Sequence, residues 1–120
     1  MSVINVLAAI PVNNFDGAVM WYEILLERPP DSRPMDGLAE WSFTRGGWMQ
    51  VYADAARAGY GSVTIVEDDL DGRVKQLEAK GIEIGRTSQS EFVKTAIVRD
   101  PDGNQLVFAE AQDPSYRAAT

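Results

Sequence analysis

Asn14-Phe15-Asp16-Gly17-Ala18-Val19-Met20-Trp21-Tyr22-Glu23 and Asp69-Leu70-Asp71-Gly72-Arg73-Val74-Lys75-Gln76-Leu77-Glu78 are two versions of one pattern. Asp16/Asp71, Gly17/Gly72, Val19/Val74 and Glu23/Glu78 are identical, and Phe15/Leu70 and the leading Asn14/Asp69 are similar. An Asn or Asp at the head of such a segment caps a helix, because its side-chain oxygen satisfies an N–H left open in the first turn. The acidic residue two positions on is favoured by the helix dipole. Behind the caps, Phe15, Ala18, Val19, Tyr22, Leu25 and Leu26 recur at helical spacing, as do Leu70, Val74 and Leu77. Pro29-Pro30 stops the first helix, and Gly81 offers a left-handed stop to the second.

Working outward, each helix follows an apolar strand and precedes three more. Ile4 to Ile10 and Ser62 to Val66 are the leading strands. In the first half the followers are Arg28 to Met35, which carries three prolines, then Ala39 to Arg45 and, after a Gly46-Gly47 turn, Trp48 to Tyr52. In the second half they are Glu83 to Thr87, Val93 to Arg99 and Gln105 to Glu110. The last two are joined by Asp100-Pro101-Asp102-Gly103-Asn104, whose Pro and Gly suit a tight turn. The internal repeat makes each half a βαβββ unit. The expected fold is α+β: two βαβββ modules forming a curved mixed sheet with an open trough, helices on the outer face. It is one domain over 1–120, with module one at about 1–55, module two at about 60–112 and a tail at 113–120. A four-stranded sheet buries one face under its helix and leaves the other open, and a trough of such faces is a natural ligand site.

Composition narrows the function. The chain has 120 residues, 45% hydrophobic and 24% charged, the balance of a soluble globular protein. No apolar run approaches the roughly 20 residues that span a bilayer, so no membrane partner is expected. The start, Met1-Ser2-Val3-Ile4-Asn5, lacks the basic opening of a secretion signal, and a cytoplasmic location is expected. A net charge of −7 argues against nucleic acid, whose phosphates need clustered Lys and Arg. It is compatible with a cationic ligand and equally with a role in solubility alone. Cysteine is absent, which excludes disulfides, zinc–thiolate sites and a thiol nucleophile. Histidine is absent too, which removes the commonest general base and the commonest transition-metal ligand.

Several segments resemble the vicinal-oxygen-chelate superfamily, which includes glyoxalase I, fosfomycin-resistance enzymes, extradiol dioxygenases and bleomycin-resistance proteins. They are Ala9-Ile10-Pro11-Val12-Asn13-Asn14 leading into Met20-Trp21-Tyr22, then Gly46-Gly47-Trp48-Met49-Gln50-Val51. Gly61 to Leu70, Leu77 to Gly81, Val98 to Asn104 and Leu106 to Glu110 continue the likeness in the expected order. Metal enzymes of that superfamily carry His, Glu or Gln on the first and last strand of each module. The resemblance places those positions on Leu7, on Gln50, near Tyr60 or Ser62, and on Val107. Of these only Gln50 offers a side-chain carbonyl oxygen, and one amide oxygen does not hold Zn²⁺, Fe²⁺ or Ni²⁺. The likeness therefore points to the metal-free, bleomycin-resistance-like branch, which sequesters drug at a dimer interface. It implies no cofactor and a homodimer.

Trp48, Gln50 and Tyr52 fall on alternate positions of one strand and share a face. Two aromatic plates with an amide between them suit a flat heteroaromatic or sugar-bearing ligand. They serve equally to fill the trough or a subunit contact. Tyr60, Ser62 and Thr64 alternate with apolar Val63 and Ile65, so their hydroxyls either orient a ligand or bind water. Trp41 and Phe43 share a face and suit core or interface packing. Glu67-Asp68-Asp69 reads as helix capping rather than a metal cluster, and Asp100 and Asp102 as turn residues. The ligand-contacting set is thus Leu7, Trp48, Gln50, Tyr52, Tyr60, Ser62, Thr64 and Val107, with no catalytic and no metal-binding residue. Three readings stay open: a non-enzymatic binder of a drug or natural product, a glyoxalase-fold lyase, isomerase or dioxygenase with an atypical metal site or none, and an interaction module whose trough is plugged.

Overall fold

The computed structural model describes residues 2–119. The chain divides into two compact units, Met1–Gly61 with Asp100–Asn104, and Ser62–Arg99 with Gln105–Thr120. Module one runs β1 (Leu7–Val12), α1 (Phe15–Leu26), β2 (Ser32–Met35), β3 (Leu38–Ser42) and β4 (Trp48–Ala53). Module two runs β5 (Ser62–Val66), α2 (Leu70–Ala79), β6 (Thr87–Gln89), β7 (Val93–Arg99) and β8 (Gln105–Ala111), with α3 (Pro114–Ala119) after it. The sheets are ordered β1-β4-β3-β2 and β5-β8-β7-β6. In each, the first strand pairs parallel with the last and the remaining pairs are antiparallel. This is the α+β class with two four-stranded mixed sheets in βαβββ order.

The repeated helix starts have one physical cause. Asn14 accepts from the Gly17 backbone N–H at 3.1 Å, and Asp69 accepts from that of Gly72 at 3.1 Å. A Cβ at Gly17 would meet the Asn14 amide at 2.9 Å, and one at Gly72 the Asp69 carboxylate at 2.4 Å. Glycine at this position lets the cap side chain fold close over the first turn, a local arrangement that the two copies of the repeat share.

Alternation along the strands builds each core. In module one, Ile10, Val12, Ala39, Trp41, Met49 and Val51 are buried, together with Ala18, Val19, Tyr22 and Leu25 of α1, which packs on β4. In module two, Val63, Ala96, Val98, Leu106 and Phe108 are buried with Leu70 and Leu77 of α2, which packs on β7 and β8. Trp41 is fully buried, and its indole N–H donates to the Arg28 carbonyl at 3.1 Å. Of the two uses its pattern allowed, core or interface, it takes the core of its own module. Phe43 lies beyond the end of β3, partly exposed, with the Arg28 guanidinium 5.6 Å from its ring centre.

Four elements differ most from the sequence expectation. The leading strand begins at Leu7 rather than Ile4, because its partner β4 begins at Trp48 and Leu7 is paired with that residue. Asn5 instead donates its side-chain amide to the Gly46 carbonyl at 3.0 Å. The strand expected over Arg28–Met35 is confined to Ser32–Met35, an edge strand that tolerates Pro34 because no neighbour needs its missing N–H. The strand expected at Glu83–Thr87 occurs at Thr87–Gln89. After Gly81 takes its left-handed turn, Ile82 folds back into the core, its N–H donating to the Leu77 carbonyl at 3.0 Å, so pairing starts later. Residues 114–119, expected as part of a tail, form the short helix α3.

The Asp100–Asn104 turn belongs to the first unit by its contacts. Asp100 and Asn104 are buried polar residues, and each is fully engaged. Asp100 accepts from the Tyr22 hydroxyl at 2.7 Å and from the Asn104 amide at 2.8 Å. Asn104 also donates to the Pro11 carbonyl at 2.7 Å and accepts from the Gly59 and Gly61 backbones at 3.0 and 2.8 Å. Burial first, and the Asp100 carboxylate second, hold the Tyr22 hydroxyl well above its ordinary range, so it is the donor of this pair. The turn residues are therefore structural, tying α1, β1 and the Gly59–Gly61 connection together.

Candidate functional site

The open face of module one follows from its registers. Leu7, Ala9 and Pro11 of β1 lie beside Trp48, Gln50 and Tyr52 of β4. On the other side of β4, Ser42, Glu40 and Leu38 lie beside the same three residues. Since Met49 and Val51 are buried, strand alternation turns Trp48, Gln50 and Tyr52 to the opposite face, and all three are half-buried. The face thus has two outer rows rich in apolar and aromatic groups, Leu7–Trp48–Ser42 and Pro11–Tyr52–Leu38, the second covered at its β1 end, where Pro11 is buried. Between them runs a middle row, Ala9–Gln50–Glu40, that carries the polar side chains.

Glu40 is the residue that sequence reasoning missed. Its signal lay in the alternation of Ala39 and Trp41, whose burial puts Glu40 on the open side of β3. The Gln50 Nε2 donates to Glu40 Oε2 at 2.7 Å. A carboxylate can only accept, so this bond sets the amide orientation and turns Gln50 Oε1 away from Glu40. Glu40 makes no ion pair among the described residues.

In module two, Ser62 and Thr64 of β5 are exposed and alternate with Val63 and Ile65. Val107 of β8 is half-buried between the buried Leu106 and Phe108 and pairs with Thr64. The Gln105 amide donates to the Ser62 hydroxyl at 3.1 Å. These residues occupy the open face of the second sheet. Tyr60 does not belong to that alternation: it precedes β5 in the connection between the modules, and is 88% exposed. Glu67 pairs with Arg73 while Asp69 caps α2, so this acidic run holds the helix start together.

Two mixed four-stranded sheets, each with one helix and one open face, define a two-module βαβββ protein. The chain belongs to the glyoxalase/bleomycin resistance protein/dioxygenase superfamily, whose family model matches residues 16–108. Among solved structures it resembles a glyoxalase/bleomycin resistance protein from Catenulispora acidiphila (TM-score 0.82, 26% identity, covering 91% of this chain and 99% of that one). It also resembles a bleomycin-binding protein in complex with bleomycin (TM-score 0.73, 21% identity, covering 90% and 98%). A third is a lactoylglutathione lyase from Agrobacterium tumefaciens (TM-score 0.76, 16% identity, covering 92% and 96%). By sequence, no curated protein matches the chain.

The metal positions implied by the resemblance do not make a donor set here. Leu7 and Val107 present only carbon, and Ser62 offers a hydroxyl already shared with Gln105. Gln50 and Glu40 are bonded to one another in module one. Among the described residues no group of three or more His, Cys, Asp or Glu is placed to hold a metal ion. These groups do not fit Zn²⁺, Fe²⁺ or Ni²⁺, each of which takes three or more protein donors in such sites. No helix among the described residues is long and apolar enough to cross a membrane.

Proposed function

We propose that this chain binds a small organic molecule without a metal ion and without turning it over, as a cytoplasmic homodimer. The ligand contacts are Leu7, Trp48, Gln50 and Tyr52 on the first open face, and Ser62, Thr64 and Val107 on the second. Exposed Tyr60 supplies a further aromatic contact. One observation carries the reading: Trp48, Gln50 and Tyr52 stand on the face that α1 does not cover, while Met49 and Val51 close the core behind them. Aromatic surface with a few oriented polar groups is the usual lining of a small-molecule site. The bleomycin-binding relative supports the same reading at the level of the fold. The absence of histidine and cysteine from the chain supports binding over chemistry.

The test is a compound screen on chelator-treated protein, bleomycin included, read by the indole N–H signal of Trp48 in NMR spectra. Binding that shifts this signal, persists without added metal, and is lost in Trp48→Ala and Tyr52→Ala is the expected result. A ligand that binds only after Zn²⁺, Ni²⁺, Mn²⁺ or Fe²⁺ is restored, or that leaves Trp48 unmoved, would refute it. An enzyme of the same fold is the second reading, favoured by Glu40, a carboxylate on the open face. Turnover of a bound compound that is lost in Glu40→Gln would select it.

A further inference from the structure

The middle row of the module one face has a chemical bias that its aromatic neighbours do not. Gln50 gives one of its two amide N–H groups to Glu40, and the carbonyl oxygen of that amide receives no hydrogen bond from the described residues. Glu40 uses Oε2 for Gln50 and, among the described residues, meets no Lys or Arg side chain at ion-pair distance. The pair therefore offers acceptor oxygens, one of them a charged carboxylate, with one of the two Gln50 amide N–H groups already spent on that carboxylate. Along β4, Trp48 and Tyr52 stand two residues to either side of Gln50, roughly 7 Å away in strand rise. Their ring faces carry negative quadrupole charge and favour a cation. Acceptors and rings select the same partner, and both disfavour an anion.

We propose that Glu40, with the Gln50 carbonyl beside it, recognises a planar, N–H-rich cationic group of the ligand, of the amidinium or guanidinium type, between Trp48 and Tyr52. This rests on the small-molecule reading above and adds the charge class and the selecting residue. A planar cation with several N–H donors can address a carboxylate and a neighbouring carbonyl together, which a neutral amide does less strongly and a carboxylate cannot do at all. The net charge of −7 acts in the same direction by drawing cations toward the protein. Glu40 thus sets ligand charge, while Trp48 and Tyr52 set ligand shape.

Three probes of nearly one shape separate these roles: benzamidine, benzamide and benzoate. Each is titrated into the full chain at neutral pH, with the Trp48 indole and the Gln50 side-chain amide as NMR reporters. Benzamidine is expected to bind at least about tenfold more tightly than benzamide, the ratio of roughly one charge-assisted hydrogen bond, with benzoate weakest. In Glu40→Gln, which keeps an acceptor for Gln50, benzamidine and benzamide are expected to converge while the thermal midpoint holds. Equal binding of the three probes to the unaltered protein would overturn the proposal. So would a preference for benzamidine that survives Glu40→Gln. A neutral or anionic compound from the screen that moves Trp48 when benzamidine does not would overturn the charge assignment and leave the binding reading standing. No compound of any charge moving Trp48 would overturn both.

Discussion

The two modules share strand order, pairing and helix caps, yet they distribute their apolar and polar groups differently. Module one buries four residues of α1, among them Tyr22 and Leu25, against a sheet face that includes the whole of Trp41. Module two buries only Leu70 and Leu77 of α2 and leaves a groove of about 590 Å³ beside it, lined in part by Val74, Lys75, Thr87 and Lys94. The open faces differ in the opposite sense. The first carries Trp48, Tyr52 and the Gln50–Glu40 pair, and the second carries mainly hydroxyls, amides and aliphatics. One backbone plan thus hosts two chemistries, because strand alternation separates the positions that hold the sheet to its helix from those that face outward.

The largest test of this contrast is on stability. Trp41→Ala is expected to cost about 3–5 kcal/mol, the usual range for removing a fully buried indole, measured by urea unfolding. Leu77→Ala, on the thinly packed α2, is expected to cost about 2–3 kcal/mol, at the low end for its kind. A larger loss at Leu77 than at Trp41 would break the comparison and put the denser core in module two.

A second test uses pH and belongs to module one alone. Burial and the Asp100 carboxylate raise the Tyr22 hydroxyl above its ordinary value of 10.0. The folded state therefore keeps a proton that the unfolded chain releases, and its stability is full below that value and falls as pH rises past it. The urea midpoint should decline above about pH 10, and the decline should be shallower in Tyr22→Phe than in the unaltered chain. Parallel declines would show that Tyr22 ionises freely and that the buried network is looser than its geometry.

The smallest expected effect is one of sameness. Asn14→Ala and Asp69→Ala should each cost about 1 kcal/mol, because each cap makes the same bond to the same position of its helix. Unequal costs would mean that Glu67 and Arg73, which flank the second cap, carry part of that helix start.

Much of this was legible from residue order. The caps, the helical spacing, the alternation in Trp48–Tyr52 and the Asp100–Asn104 turn are local signals, each arising from neighbours within a few positions. The late start of β1 at Leu7 and the shift of β6 to Thr87 were not, since a strand begins where its partner does and that partner is far away in sequence. Trp41 shows the same limit: its pattern was equally that of a core or an interface residue, and only packing under α1 decided it. For Tyr60, apparent alternation with Ser62 crossed a loop boundary that the pattern did not mark.

Glu40 marks the division most sharply. Composition and periodicity determined the α+β class, the two-module plan and the outward face of β4, because these depend on local geometry and on which residues avoid water. That a carboxylate on β3 meets the Gln50 amide across the strand pair, ten residues away in the chain, was decided by register alone. Register is set by the turn and by the fit of the whole buried face, and no single stretch of sequence contains it.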